Sequence, residues 1–317
     1  MTLRRYTSAD KEMWDSFVKS SRNGTFLFER AYMDYHSDRF CDYSLMYFNY
    51  KNKLIALLPG NAISSSSSAT FSSHSGLTYG GFVLSPHTRA AEVLELFEIT
   101  KQYLKSEGFG AWEYKSVPSI YHRMPSEEDE YALWLNNAEL KVCNLSTTID
   151  LRSSFSEYSD PEKSRRRHKA LLEGFEIKET EDFSEFWQIV EDLLAKKYNV
   201  KPVHTLEEIS LLHSRFPSKI RCFVASLNNK VEAGIVVYET DTVAHAQYTE
   251  ATDFGLSKGA VVLLYKYLIE YYHSQRFGIR YFDFGISNED KGRYLNHSLI
   301  SFKEDFAGRG VTYKTYQ

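Results

Sequence analysis

Several residues of this sequence are of types that bind anions or move protons. Gly255 and Gly259 bracket Leu256, Ser257 and Lys258, just ahead of an apolar run with helical spacing that begins at Ala260. A glycine loop feeding a helix N-terminus aims backbone N–H groups at whatever lies there, which suits an anion such as a pyrophosphate. That reading puts Ser257, Lys258, Gly259 and Ala260 beside the anion; the plainer one makes the glycines turn residues only. Asp283, inside Tyr281-Phe282-Asp283-Phe284, is either a base for an amine proton, with burial raising its pKa, or a structural carboxylate accepting backbone N–H bonds. Lys303 stands between aromatic residues, where a fixed ammonium stabilises developing negative charge or, alternatively, snorkels over Phe302 and Phe306. The basic run Lys163 to Lys169 holds phosphates in one reading and is a solvated helix face in the other.

Other chemistries find no support. The ten histidines show no CxxC, HExxH or paired-His spacing, so no metal site is expected. No G-x-S-x-G elbow and no Walker loop occur. The three cysteines, Cys41, Cys143 and Cys222, are scattered and odd in number, which argues against a disulfide framework. A net charge of −4 gives no global attraction to nucleic acid or to an anionic membrane. The first residues, MTLRRYTSADKEMW, lack the apolar core of a signal peptide, and no apolar run approaches the roughly 20 residues that span a bilayer. A cytoplasmic protein without membrane insertion is the expectation.

Elements that position these residues can be read from periodicity. Val261, Leu264, Tyr265, Leu268 and Tyr272 keep the spacing of one helix face from Ala260 to about Gln275. Gly278 suits the turn that follows, and Tyr281 to Phe284 is strand-like. Upstream, the sequence predicts a helix over Asp10–Ser21, a second helical segment over Phe26–Phe40, and a hairpin around Lys51-Asn52-Lys53. A serine-rich loop follows over Ser64–Ser75, then a strand over Leu77–Leu84, a helix over Arg89–Glu107 and a strand at Ala111. The second half repeats the plan, with a Trp-centred helix over Asp182–Leu194 and a hairpin around Asn228-Asn229-Lys230. Trp14 and Trp187 lie 173 apart, Lys53 and Lys230 177 apart, and Phe109 and Phe277 168 apart. Ordered landmarks at nearly constant offset indicate a duplicated domain. The 317 residues suffice for two domains, expected at 1–150 and 151–317.

This order resembles the GNAT acyltransferase superfamily, and more closely its tandem, Fem-like branch. The resemblance rests on Ser164-Arg-Arg-Arg-His-Lys-Ala170 before Gly174, on Phe282 to Gly285, and on Asn296 to Gly308. The last is similar to a closing signature of apolar-x-Phe-Lys-x-x-Phe-Gly, here with Ala307 ahead of the glycine. The donor loop departs from the simple enzymes' Arg/Gln-x-x-Gly-x-Gly/Ala, with Leu256 at its first position and Val261 at its last.

The resemblance implies an α/β (mixed α+β) fold of two tandem GNAT-like domains, each a mixed, mostly antiparallel sheet flanked by helices. It implies N-acyl transfer to a primary amine of a small molecule, an amino sugar or a bacterial cell-envelope precursor. The donor is acyl-CoA (acetyl-CoA) or, as in Fem-like relatives, aminoacyl-tRNA. Partners are then a small or nucleotide-linked acceptor and, with the second donor, charged tRNA. Lys303 is expected beside the donor or oxyanion, Asp283 as base, and Tyr248, on the strand ending beside the acyl group, as acid or else as an ordinary core tyrosine. Arg165 and Lys169 match the basic-helix positions for substrate, and Tyr79, in Tyr79-Gly80-Gly81, lines the acceptor groove or merely a bulged strand. The competing reading is a non-catalytic binding or scaffold protein that kept the fold.

Overall fold

The computed structural model describes residues 1–64, 68–153, 174–198, 200–275 and 278–317. Arg165 and Lys169 lie outside the described residues. The chain divides into two compact units, one of Met1–Leu145 with Asn288–Leu295 and Val311–Gln317, the other of Ser146–Ser287 with Asn296–Gly310.

In the first unit, Thr2–Arg5, Leu45–Phe48, Leu54–Leu58 and Val83–Leu84 form one antiparallel sheet. A second group of strands centres on Phe109–Lys115, which pairs in parallel with Ala69–Ser72. The Ala90–Ser106 helix buries Val93, Leu96, Phe97 and Leu104 against Leu45, Tyr47, Leu58 and Phe82. Phe26–Phe40 is not one helix: it breaks into Phe26–Phe28, Arg30–Met33 and Asp34–His36. Buried aromatics, not a continuous apolar stripe, hold these short turns, with Trp14 Nε1 donating to the Phe28 carbonyl at 2.7 Å. The expected serine loop contains the strand Ala69–Ser72, whose Phe71 is fully buried.

The second unit has one sheet, in the order Glu176–Thr180, Ile220–Leu227, Lys230–Glu239, Val243–Ala251, Tyr281–Ile286 and the 146–150 end of Leu140–Asp150. Asn228 and Asn229 adopt φ of 50° and 64°, the left-handed pair that a tight hairpin turn requires. All neighbours are antiparallel except Val243–Ala251 and Tyr281–Ile286. A connection between parallel strands needs a crossover, and the Ala260–Gln275 helix supplies it. Its Leu264, Tyr265, Leu268 and Tyr272 pack on Ala244, Ala246, Phe282 and Phe284. The opposite face receives the Ser184–Tyr198 helix, where Gly234 admits Phe186: a Cβ there would fall 2.2 Å from the ring.

Candidate functional site

The parallel pair carries the geometry of interest. Pairing runs from Val243 and Tyr281 only as far as His245 and Asp283. Both strands continue, one bound to Lys230–Glu239 as far as Ala251 and the other to Ser146 from Ile286. Register shifts between Val236 and Val237 and between Asp283 and Ile286 turn the two ends apart. Past His245 and Asp283, therefore, a wedge opens between two strand ends.

Since Ala244, Ala246, Phe282 and Phe284 face the long helix, strand alternation places His245 and Asp283 on the other face. Asp283 is fully buried and accepts hydrogen bonds from Ser146 Oγ at 2.5 Å, Thr148 Oγ1 at 2.7 Å and His245 Nδ1 at 2.7 Å. Burial alone would lift its pKa, as a base requires. The hydrogen bond and charge of His245, with the two hydroxyls, outweigh burial and hold it below the ordinary carboxylate value. The expected rise is thus reversed by the carboxylate's own partners, and Asp283 stays ionised with His245 Nδ1 as the donor.

Lys303, from the His297–Glu304 helix, is 4% exposed and donates to the carbonyls of Gly285 and Ile286, each at 2.8 Å. Burial pushes its pKa down to about 8, against the opposing pull of the Asp283 charge. Gly285 itself has φ +80°, the left-handed bend that lets both carbonyls turn to one ammonium. Asp283 and Lys303 are therefore brought together at one strand end.

Tyr248, directly past the bulge, is half-buried, with its hydroxyl 2.6 Å from His204 Nδ1 and its ring edge-on to Trp187 at 4.9 Å. The expected glycine loop is instead a short helix, Asp253–Lys258, capped by Thr252, whose Oγ1 accepts the Gly255 N–H at 2.9 Å and donates to the Glu232 carboxylate. Gly255 is needed for closeness, since a Cβ would lie 2.3 Å from the Glu232 carbonyl oxygen. Gly259 ends this helix with φ +78°, and the long helix follows at once from Ala260. The first i→i−4 bond from the turn into the long helix runs from Leu263 N to Gly259 O, which leaves the N–H groups of Ala260, Val261 and Val262 ahead of it. Ser257 turns its hydroxyl back onto the Phe254 carbonyl at 2.7 Å, and Lys258 Nζ lies 5.8 Å from the centre of the Phe254 ring.

Tyr79 is in the first unit, 2% exposed, with its hydroxyl donating to Thr25 Oγ1 at 3.1 Å and its ring against Phe28 and Tyr121. So enclosed a ring contributes packing and leaves almost no surface to line a groove. Among the described residues, no three His, Cys, Asp or Glu side chains gather as metal ligands do, and no helix is long and apolar enough to cross a membrane.

Residues 162–294 match the family model of the acetyltransferase (GNAT) domain. That stretch is a GNAT domain, in a chain with the tandem, Fem-like fold. The structure of FemX superposes with a TM-score of 0.70 at 10% identity, covering 99% of this chain and 97% of FemX. L-PGS from Bacillus licheniformis superposes at 0.62 and 12% identity, covering 98% of this chain and 91% of L-PGS. A tandem GNAT protein from the clavulanic acid biosynthesis pathway superposes at 0.54 and 12%, covering 99% and 97%. At these identities the likeness concerns the fold. No curated protein matches the chain by sequence.

The GNAT domain contains residues that sequence reasoning did not single out. His245 and His204 each read as one polar residue in an otherwise ordinary segment, and their partners, Asp283 and Tyr248, are 38 and 44 positions away. Ser146 and Thr148 precede Asp283 by 137 and 135. The alternation in Ala244-His245-Ala246 was the available signal, since it sets His245 on the face opposite the helix.

Proposed function

We propose that the chain is an N-acyltransferase, moving an acyl or aminoacyl group from an activated donor to a primary amine. The observation that carries this reading is the wedge past His245 and Asp283, inside the GNAT stretch and on the strand that leads, through the short Asp253–Lys258 helix, into the Ala260–Gln275 helix. A site of this kind needs little covalent machinery: it aligns amine and carbonyl, removes a proton and stabilises an oxyanion.

On this reading the donor's phosphates lie at residues 257–260, where Lys258 and the helix N-terminus supply positive potential. Tyr248 protonates the leaving group. Lys303 fixes the Gly285–Ile286 carbonyls and contributes its charge beside the wedge. Arg165 and Lys169 bind a phosphate-bearing acceptor, and the cellular setting is the cytoplasm. Acetyl-CoA is the donor favoured by the GNAT match. Aminoacyl-tRNA is the alternative, favoured by the fold's likeness to FemX and by Leu256 standing where the simple enzymes carry Arg or Gln. The acceptor class is an amino sugar, a cell-envelope precursor or another small amine.

Titration calorimetry with coenzyme A and acetyl-CoA, then with charged tRNA, tests the proposal, followed by mass spectrometry of an amine panel incubated with whichever donor binds. Binding of one donor with transfer supports it. Absence of binding by both, in protein of native melting temperature, favours a scaffold role.

A further inference from the structure

We propose that His245 is the proton acceptor of this site, and that Asp283, with Ser146 and Thr148 behind it, is the group that orients it. The proposal rests on the acyl-transfer reading and names a residue which that reading leaves open.

The geometry is a relay with one free end. Ser146 Oγ and Thr148 Oγ1 both donate to one oxygen of Asp283, at 2.5 Å and 2.7 Å, and His245 Nδ1 meets the other at 2.7 Å. With both oxygens occupied by donors in a fully buried setting, Asp283 is a poor proton acceptor and a good anchor. The anchor fixes the imidazole tautomer: Nδ1 carries the hydrogen, so the lone pair is on Nε2. Nε2 has no hydrogen-bond partner among the described residues and is not enclosed, the His245 side chain being 13% exposed. His245 is also the last residue of its strand to pair with Tyr281–Ile286, so it sits at the apex of the wedge.

The charged and titratable groups around it agree with that role. Asp283 comes from the neighbouring strand, Lys303 from the His297–Glu304 helix with its charge felt at Asp283, and Tyr238 is opposite on the other neighbouring strand. Tyr248, with His204, is further along the same strand. A purely structural Asp–His pair would have no need to leave one nitrogen accessible at the point where the sheet parts.

An ammonium R–NH3⁺ gives one proton to Nε2, producing imidazolium paired to the Asp283 carboxylate. The freed lone pair forms the C–N bond to the donor's carbonyl carbon. The C–S bond of a thioester, or the C–O bond of an aminoacyl ester, breaks with its electron pair on the leaving atom. The nitrogen's second proton ends on that atom, and the imidazolium returns its proton to water.

The test has two arms. Long-range ¹H–¹⁵N spectra of the full chain report the tautomer of His245 directly, assigned with His245→Gln. The Nδ1–H form is expected in wild type, and in Ser146→Ala/Thr148→Ala it gives way to a mixture with the Nε2–H form. An Nε2–H form in wild type overturns the proposal whatever the enzyme's donor. In the second arm, acetyl-CoA transfer to glucosamine, or to whichever amine the panel identifies, is followed against pH. His245→Gln and Asp283→Asn are expected to lower kcat/KM by about a hundredfold or more, with donor affinity unchanged. Wild type is expected to lose kcat/KM on the acid side with unit slope, and His245→Gln to lose that limb. Unchanged kcat/KM, or an acid limb surviving in His245→Gln, overturns the proposal. If neither acetyl-CoA nor charged tRNA is turned over, the acyl-transfer reading fails, and the tautomer alone decides the relay.

Discussion

Lys303 Nζ donates to the carbonyl oxygen of Gly285 at 2.8 Å, which ties the last helix of the GNAT unit to the strand end that leaves the sheet. The ammonium is both clamp and cost. It satisfies two carbonyls, Gly285 and Ile286, while burial lowers its pKa from 10.5 to about 8. Between those values the unfolded chain holds more proton than the folded one, so stability climbs as pH rises through this window. The climb over the whole window is about 3 kcal/mol, since each pH unit between the two values adds roughly 1.4 kcal/mol. Lys303→Met has no such titration. We expect wild type to gain stability relative to Lys303→Met between pH 8 and 10.5 in denaturant unfolding, and near-parallel curves would refute the buried ammonium. At neutral pH the variant also leaves two carbonyls without their donor, at a cost of about 1–3 kcal/mol offset by the relieved charge burial. Transfer activity is expected to fall by a hundredfold or so, more than that stability change accounts for.

Gly285 gives a second test at the same place. Its φ of +80° strains any residue with a Cβ, by about 1–2 kcal/mol. Space is not the obstacle, because a Cβ would meet His245 Cε1 at 3.6 Å and the Ala246 carbonyl at 3.7 Å, ordinary contacts. Gly285→Ala should therefore fold with a modest loss of melting temperature. The added methyl group lies against His245 at the wedge, so kcat/KM is expected to drop further than the stability change explains. A drop in stability alone, with full turnover, would show that the wedge is not where substrate sits.

How far the sequence carried the fold is clearest at the long helix. The Ala260 start and the Gln275 end follow from apolar spacing and from Gly278 beyond, and the structure has them. Both hairpins were equally legible, because polar Asn-Lys turns separate runs of apolar residues. What failed was local reading where tertiary partners decide. Gly255 looked like loop punctuation, yet it is a helical glycine chosen by the nearness of the Glu232 carbonyl, which no local pattern reveals. The site divides the same way. Asp283 and Lys303 are conspicuous in aromatic surroundings, whereas His245 acquires meaning only from cross-strand register, and register is not written in either strand by itself.

Gly255 also separates two accounts of the 253–259 segment. If its glycines served flexibility alone, Gly255→Ala would change little, since alanine favours helix. Because a Cβ would lie 2.3 Å from backbone oxygen, the short helix must shift, which costs about 1–3 kcal/mol. We expect a clearly lowered melting temperature together with weaker donor binding, as the shift moves Gly259 and the start of the long helix. Thermal unfolding alone suffices for the first half of this expectation, and an unchanged or raised melting temperature rules it out.

Lys258 tests the donor assignment without disturbing the core. It is half-buried at the end of the short helix, close to the Phe254 ring, and precedes the N–H groups that open the Ala260–Gln275 helix. A phosphate there gains from both the dipole of that helix and the ammonium. Lys258→Glu reverses one charge and keeps a long side chain, so the fold should persist to within about 0.5 kcal/mol, as is usual for surface changes. Donor affinity is expected to weaken about tenfold or more at low salt and to differ less from wild type as salt rises, because exposed charges are screened over roughly 10 Å at 0.1 M. Calorimetry with coenzyme A at two ionic strengths measures both. Equal affinities for Lys258→Glu and wild type at low salt would place the phosphates elsewhere, and a weaker affinity with no salt dependence would trace the loss to shape, not charge.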